Sequence, residues 1–253
     1  RIELKKQCKA RGNVEDWLAN AENVVKNVLH GLLKTGLLDY PNHLRHEWLK
    51  LHPGQVVATV AQMTWAAQTE ESIVKEQTTP GAMNNWLEEY KEYLVQLVTL
   101  INSPLKSLER KVIIALVTTD VHAKDIIDIL NKDKIHDVAA FTWQMQLRYY
   151  WEPAPTDDCI IKHSDARIKY GYEYMGATSR LVITPLTDMC WMTLTASYGL
   201  KLGGAPAGPA GTGKTESSKD LAKAMAIFCL VFNCSDQITV AQMGTLFRGL
   251  AQA

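Results

Sequence analysis

Gly208-Pro209-Ala210-Gly211-Thr212-Gly213-Lys214-Thr215 is the stretch on which the reading of this chain turns. It fits G-x-x-x-x-G-K-[ST] at every specified position. In that pattern the glycines let the backbone approach and aim its N–H groups at phosphate oxygens. The lysine reaches the β- and γ-phosphates, and the last hydroxyl takes a place on Mg²⁺. Gly208, Pro209, Ala210, Gly211, Thr212, Gly213, Lys214 and Thr215 are therefore candidate nucleotide-binding residues, with Thr215 the candidate metal ligand. The surroundings agree with a P-loop fold. A strand is predicted at 202–205, a helix through Lys219, Leu221, Ala222, Ala224 and Met225, and a second strand at 228–232.

Upstream the chain changes character. Six of the seven tryptophans lie at or before Trp151, whereas ten of the fifteen glycines lie after position 150, so helices are expected first and loops later. Val14, Trp17, Leu18, Ala21, Val25, Leu29 and Leu32 step around one helical face, with Asn13 as N-cap and Gly36 as the C-terminal stop. The same period restarts at Val56 after Pro53-Gly54, and again at Trp86 after a cap and first-turn proline at Thr79-Pro80. Two more helices are predicted over 104–117 and 122–130, completing an antiparallel bundle. Cys159-Ile160-Ile161 and 168–172 read as short strands around a turn at His163-Ser164-Asp165, and a helix is expected from Pro185 to Tyr198. The fold class is α+β, predominantly α-helical. A helical bundle over 1–150 and a β-rich connector over 151–180 precede the opening β-α-β-α of a P-loop α/β module over 181–253.

Several function classes fall away. Lys plus Arg and Asp plus Glu number 27 each in 253 residues, which gives no reason to expect a nucleic-acid partner. No apolar run reaches the roughly 20 residues of a spanning helix, and Arg1-Ile2-Glu3-Leu4-Lys5-Lys6 opens no signal peptide, so no membrane partner is expected. Five scattered cysteines without a Cys-x-x-Cys pair predict a reducing, intracellular setting. An initial Arg suggests a piece of a longer chain. The seven histidines show no metal spacing, and Asn233-Cys234-Ser235, though a glycosylation sequon, follows a predicted buried strand. Asn131-Lys132-Asp133-Lys134 misses the guanine-specificity pattern at its last position, where Asp is required. Val112 to Asp120 offers an apolar run ending in an acid, a weak candidate for a metal-holding strand.

Hydrolysis needs an acid on the metal and a group to orient water, and the acid normally ends a strand beyond the P-loop helix. No such strand is read before Ala253, so this stretch alone is expected not to turn over ATP.

The chain also resembles a family. Leu202-Gly203-Gly204-Ala205-Pro206-Ala207 leading into the P-loop, Thr215-Glu216 after it, and Val231-Phe232-Asn233-Cys234-Ser235-Asp236 are similar to the first AAA+ module of dynein heavy chains. Upstream, 170–176, 181–188 and 141–151 match the stretch by which that family enters the module, so the likeness covers nearly the whole chain. The Asn-Cys-Ser-Asp form is nearer to axonemal members. Met189 and Thr239-Val240 depart from the usual pattern.

The resemblance implies a helical part that is the end of the linker, the lever crossing the motor ring. It implies ATP or ADP with Mg²⁺ at the P-loop and Glu216, and an adenine pocket lined by Leu181, Val182, Ile183, Thr184 and Pro185. It implies microtubules as track, contacted by other parts of the heavy chain, together with the remaining AAA+ modules and dynein intermediate and light chains. It implies a place in the cytoplasm on the cytoskeleton, at the axoneme of a cilium or flagellum. An alternative from another class is a helical adaptor fused to a regulatory nucleotide sensor that produces no movement.

Overall fold

The computed structural model describes residues 12–176 and 178–252. The opening Arg1 to Lys6 and Cys8 lie outside the described residues. Helix α1 (Val14–Asp39) starts at Asn13, as expected, but runs through Gly36. That glycine is no stop. A Cβ there would stand 2.7 Å from Val56 Cγ1, and the Gly36 carbonyl accepts the indole N–H of Trp48 at 3.1 Å. Its small size lets two helices close on each other. The indole comes from α2 (Arg45–Leu51), a helix not anticipated from the sequence, too short to show a repeating stripe.

Helices α3 (Gly54–Glu76), α4 (Ala82–Ile101) and α5 (Ser107–Lys132) form the body of the bundle. Gly81, at φ 95°, is the N-cap of α4 in place of Thr79, because the chain must pass through a left-handed residue to turn into the helix. The two helices expected over 104–117 and 122–130 are one, and the run ending at Asp120 is helical, not a strand. Asp120 falls in the stripe of Ile113, Leu116, Ala123 and Ile127 and is fully buried. Arg45 of α2 meets it at 2.6 Å and the Tyr90 hydroxyl of α4 donates to it at 3.0 Å, so its charge is spent joining three helices.

After the single turn of α6 (Phe141–Gln144) come β1 (Arg148–Glu152), β2 (Asp158–His163) and β3 (Ala166–Lys169), an antiparallel meander in that order. Tyr149 pairs with Ile161 and Ile161 with Ile168. Cys159, Ile160 and Ile161 are all buried, as befits a middle strand covered on both faces. Tyr170 to Tyr172, read as strand from the sequence, lies beyond β3 and serves another purpose described below.

Three further helices follow: α7 (Pro185–Gly199), α8 (Lys214–Met225) and α9 (Val240–Gln252). The strands expected at 202–205 and 228–232 are not formed among the described residues. Extended backbone points its polar groups sideways and becomes a strand when a neighbour takes them up. These segments find none, so the expected β-α-β-α opening is present as its helices alone.

Two cores hold the molecule. One gathers Trp65, Trp86, Tyr90, Ile127 and Trp143 between α3, α4, α5 and α6. The other runs from Leu33, Trp48 and Val60 through Leu116, Ile161 and Tyr170 to Trp191, Leu221 and Met225, so α7 and α8 share a core with the bundle and the sheet. Among the described residues no helix is long and apolar enough to cross a membrane.

Candidate nucleotide site

The phosphate loop sits at the N-terminus of α8. Gly211 and Gly213 adopt φ of 77° and 83°, and nothing lies within 4 Å of where a Cβ would stand on either. Positive φ explains why glycine occupies both places, and the open space leaves the loop backbone approachable. The first-turn amides of Lys214, Thr215 and Glu216 have no acceptor among the described residues, as at any helix start, and they sum with the helix dipole to favour an anion. The Lys214 ammonium folds over the loop. It donates to the Gly208 carbonyl at 2.8 Å, to the Pro209 carbonyl, and to Thr212 Oγ1 at 3.3 Å, while Thr212 Oγ1 donates to the Pro209 carbonyl at 2.9 Å. A cation is thus gathered above a ring of glycine backbone, which fits a polyphosphate. Thr215 and Glu216, expected at the nucleotide and for Thr215 at its metal, are exposed on the first turn of α8.

What steadies this loop was not anticipated from the sequence. Asp220, 1 % exposed on α8, accepts Arg180 Nε at 3.1 and 3.3 Å. The buried indole of Trp191 on α7 donates to the Ser217 carbonyl at 3.0 Å. The available signal was an acid beside the apolar residues Leu221 and Ala224 of an amphipathic helix, which requires a partner once buried. At the other end of α8, Ala226 turns left-handed at φ 51°. Three donors meet the final carbonyls there. The Tyr149 hydroxyl reaches Ala224 at 3.0 Å, Gly171 N–H reaches Met225 at 2.9 Å, and Glu173 N–H reaches Ala226 at 2.9 Å. The expected strand 168–172 has become, past β3, a strap across the end of the P-loop helix.

The five residues expected around adenine lead into α7, with Leu181 to Thr184 before it and Pro185 its first residue. Thr184 is the helix cap, accepting Thr187 N–H at 3.3 Å, with Pro185 in the first turn. Leu181 and Val182 are exposed apolar residues, and Ile183 is half-buried against the larger core. In the same helix Asp188 is pushed up to about 6 by burial. His122 of α5 stands 3.6 Å from it, and its imidazole is held below the usual range by its own burial. His163, 1 % exposed, bridges the Met145 carbonyl at 2.9 Å and Thr195 Oγ1 of α7 at 2.7 Å.

A family described as the hydrolytic ATP binding site of dynein motor region matches residues 170–253. Over the whole chain the sequence is 46 % identical to human dynein axonemal heavy chain 6. It is 44 % identical over 96 % of its length to human dynein axonemal heavy chain 12, and 44 % over 95 % to mouse dynein axonemal heavy chain 1. It spans 6 to 8 % of the length of those relatives. With the P-loop at the head of α8, and with likeness of this extent and degree, the chain belongs to the dynein heavy-chain family.

Proposed function

We propose that this chain is the stretch of an axonemal dynein heavy chain in which ATP binding is passed to a helical lever. Residues 181–253 are assigned to the beginning of the first AAA+ module, 151–180 to a connector and 1–150 to the end of the linker. Residues 208–216 hold the nucleotide phosphates, Thr215 the Mg²⁺, and 181–185 the adenine. When bound, Mg-ATP supplies the phosphoanhydride bond whose cleavage drives the cycle. Lys214 neutralises phosphate charge, the glycine backbone and first-turn amides of α8 orient it, and α8 carries any displacement of the loop to its far end.

The observation that carries the reading is what grips that far end. The strap 170–175 bonds to α8 through the amides of Gly171 and Glu173. Three of its polar groups meet α3, where Gln55 Nε2 donates to the Glu173 carbonyl at 2.8 Å and to Tyr170 Oη at 3.1 Å, and Gln55 Oε1 accepts Met175 N–H at 2.9 Å. Thr59 Oγ1 adds a contact of 3.1 Å to Tyr170 Oη. A rod held at both ends between a phosphate loop and a helical bundle supports transmission of movement; a flexible tether would let each part move alone.

In the whole protein the microtubule is met by other parts of the heavy chain, and the other AAA+ modules and dynein intermediate and light chains complete the machine at the axoneme. The 253-residue stretch by itself is assigned no turnover, because the acid its sequence offers, Asp120, is bound to Arg45 and Tyr90 inside the bundle.

The test is Lys214→Ala in the full-length heavy chain, with ATP turnover and microtubule gliding measured together and phosphate release from the 253-residue stretch as reference. Loss of ATP-driven gliding is expected, with no release above background from the stretch alone. Equal gliding velocities for the altered and unaltered chains would refute the assignment of motor function to this loop.

A further inference from the structure

Asp220 and Arg180 form a buried ion pair on the P-loop helix, and the proposed binding roles leave both unused. The carboxylate is 1 % exposed and the Arg180 side chain 15 %. A carboxylate so placed is costly to leave without its cation, so Arg180 stays wherever α8 carries Asp220. Six residues separate Asp220 from Lys214, about 9 Å along the helix at 1.5 Å per residue. The second anchor, from the Trp191 indole to the Ser217 carbonyl, falls three residues from Lys214, about 4.5 Å along the same axis. Residues 181–185 lie in the chain between Arg180 and Trp191, and are therefore strung between two attachments to the first two turns of the P-loop helix.

Along that span the chain shows Leu181, 38 % exposed, and Val182, 75 % exposed, with Ile183 tucked toward the core. None of the three carries a polar side chain. A flat heteroaromatic base is recognised on such a surface by apolar contact and by backbone groups, and both depend on where the segment stands. A polyphosphate needs none of this, since Lys214, the loop backbone and the first turn of α8 suffice for it.

We infer that the Arg180–Asp220 ion pair is a positioning device for base recognition: it holds 181–185 in register with Lys214, so that a nucleotide binds more tightly than its bare phosphate chain. The inference rests on the proposed assignment of 208–215 to phosphate and of 181–185 to the base. Neither residue touches the reacting atoms, so both act through the segment they place.

The experiment uses the full-length heavy chain and counts as this site the binding that Lys214→Ala abolishes. The pair is replaced together by apolar side chains of similar reach, Arg180→Met with Asp220→Leu, which leaves no stranded charge in the core. A second variant, Arg180→Lys, keeps the charge but loses the guanidinium fork. Dissociation constants are measured for Mg-ATP and for inorganic tripolyphosphate with Mg²⁺. Expected for the double variant is a loss of about tenfold for Mg-ATP, with tripolyphosphate changed by less than about twofold; the tenfold corresponds to about 1.4 kcal/mol. Arg180→Lys is expected to show the same pattern at smaller amplitude. Equal losses for both ligands in Arg180→Lys, or unchanged Mg-ATP binding in the double variant, would overturn the inference and leave the proposed function standing. If Lys214→Ala abolishes no nucleotide binding at all, the proposed function fails and this inference with it.

Discussion

The bundle and the P-loop end of the chain share a core, yet the bundle buries most of its tryptophans while the extended segments at 202–205 and 228–232 leave their large apolar side chains uncovered. Trp48, Trp86 and Trp143 are 0 to 4 % exposed, whereas Leu202, Phe228 and Leu230 stand 55 to 69 % exposed. The difference follows from where each kind of backbone finds its hydrogen bonds. A helix closes its own, so α1 to α5 need only bring their stripes together. The segments at 202–205 and 228–232 read as strands and require a ladder that nothing among the described residues provides. The phosphate loop escapes this limit because its geometry is local: two glycines at positive φ and the first turn of one helix build it.

The contrast is testable by the same truncation in both regions. Trp48→Ala empties a site packed against Gly36, Tyr40 and His52 and should cost about 3–5 kcal/mol of unfolding free energy in the 253-residue chain. Phe228→Ala should change it by no more than about 0.5 kcal/mol, the range of ordinary surface substitutions. Comparable losses in chemical denaturation would show that the C-terminal apolar side chains are covered after all.

A smaller effect comes from His163, where burial first and the nearby Arg148 charge second outweigh its bond to the Met145 carbonyl and hold the imidazole at about 4 against a usual 6.5. The unfolded chain takes up the proton first, so the contribution of His163 is complete above about pH 6.5 and is lost as pH falls toward 4. The full loss is roughly 3 kcal/mol at 1.36 kcal/mol per unit. Asp188, with its carboxyl raised to about 6, works the other way, stabilising as pH falls through 6. Thermal unfolding between pH 7 and 4 is therefore compared for Asp188→Asn and for Asp188→Asn with His163→Gln. The double variant should show the flatter profile, and parallel profiles would show that the bridge from β2 to α7 does not titrate.

Gly171→Ala probes the junction between the regions. A Cβ at this position would lie 2.3 Å from the Ala226 carbonyl oxygen, a backbone atom that cannot swing aside as a side chain does. An expected cost of about 1–3 kcal/mol is accompanied by faster amide hydrogen exchange in α8 than in α4. Uniform acceleration across both helices would mean that the strap does not hold α8 separately from the bundle.

Legibility from the sequence followed the range of the interactions. Helix α7, with its Thr184 cap and first-turn Pro185, is found within one residue of its expected end, and α8 contains the helix expected through Lys219 to Met225. The β2–β3 hairpin is found around the expected turn, while β1, which completes the meander, was not read as a strand. Harder to see were residues whose meaning depends on a distant neighbour. Gly36 looked like a helix stop because its contact, Trp48, lies on an unforeseen helix, and Asp120 looked like the end of a strand because Arg45 and Tyr90 are 75 and 30 positions away.

By itself the sequence determined the helical stripes, the turn between β2 and β3 and the phosphate loop, since each depends on periodicity, capping or backbone freedom within a few residues. Only the tertiary structure decided that Gln55 grips the strap over the P-loop helix and that Asp220 pairs with Arg180. It also decided that α7 and α8 share a core with the bundle. The polar contacts join groups 40 to 120 positions apart, where each buried charge or amide needs a partner to offset its lost hydration, and no local pattern encodes which residue that is.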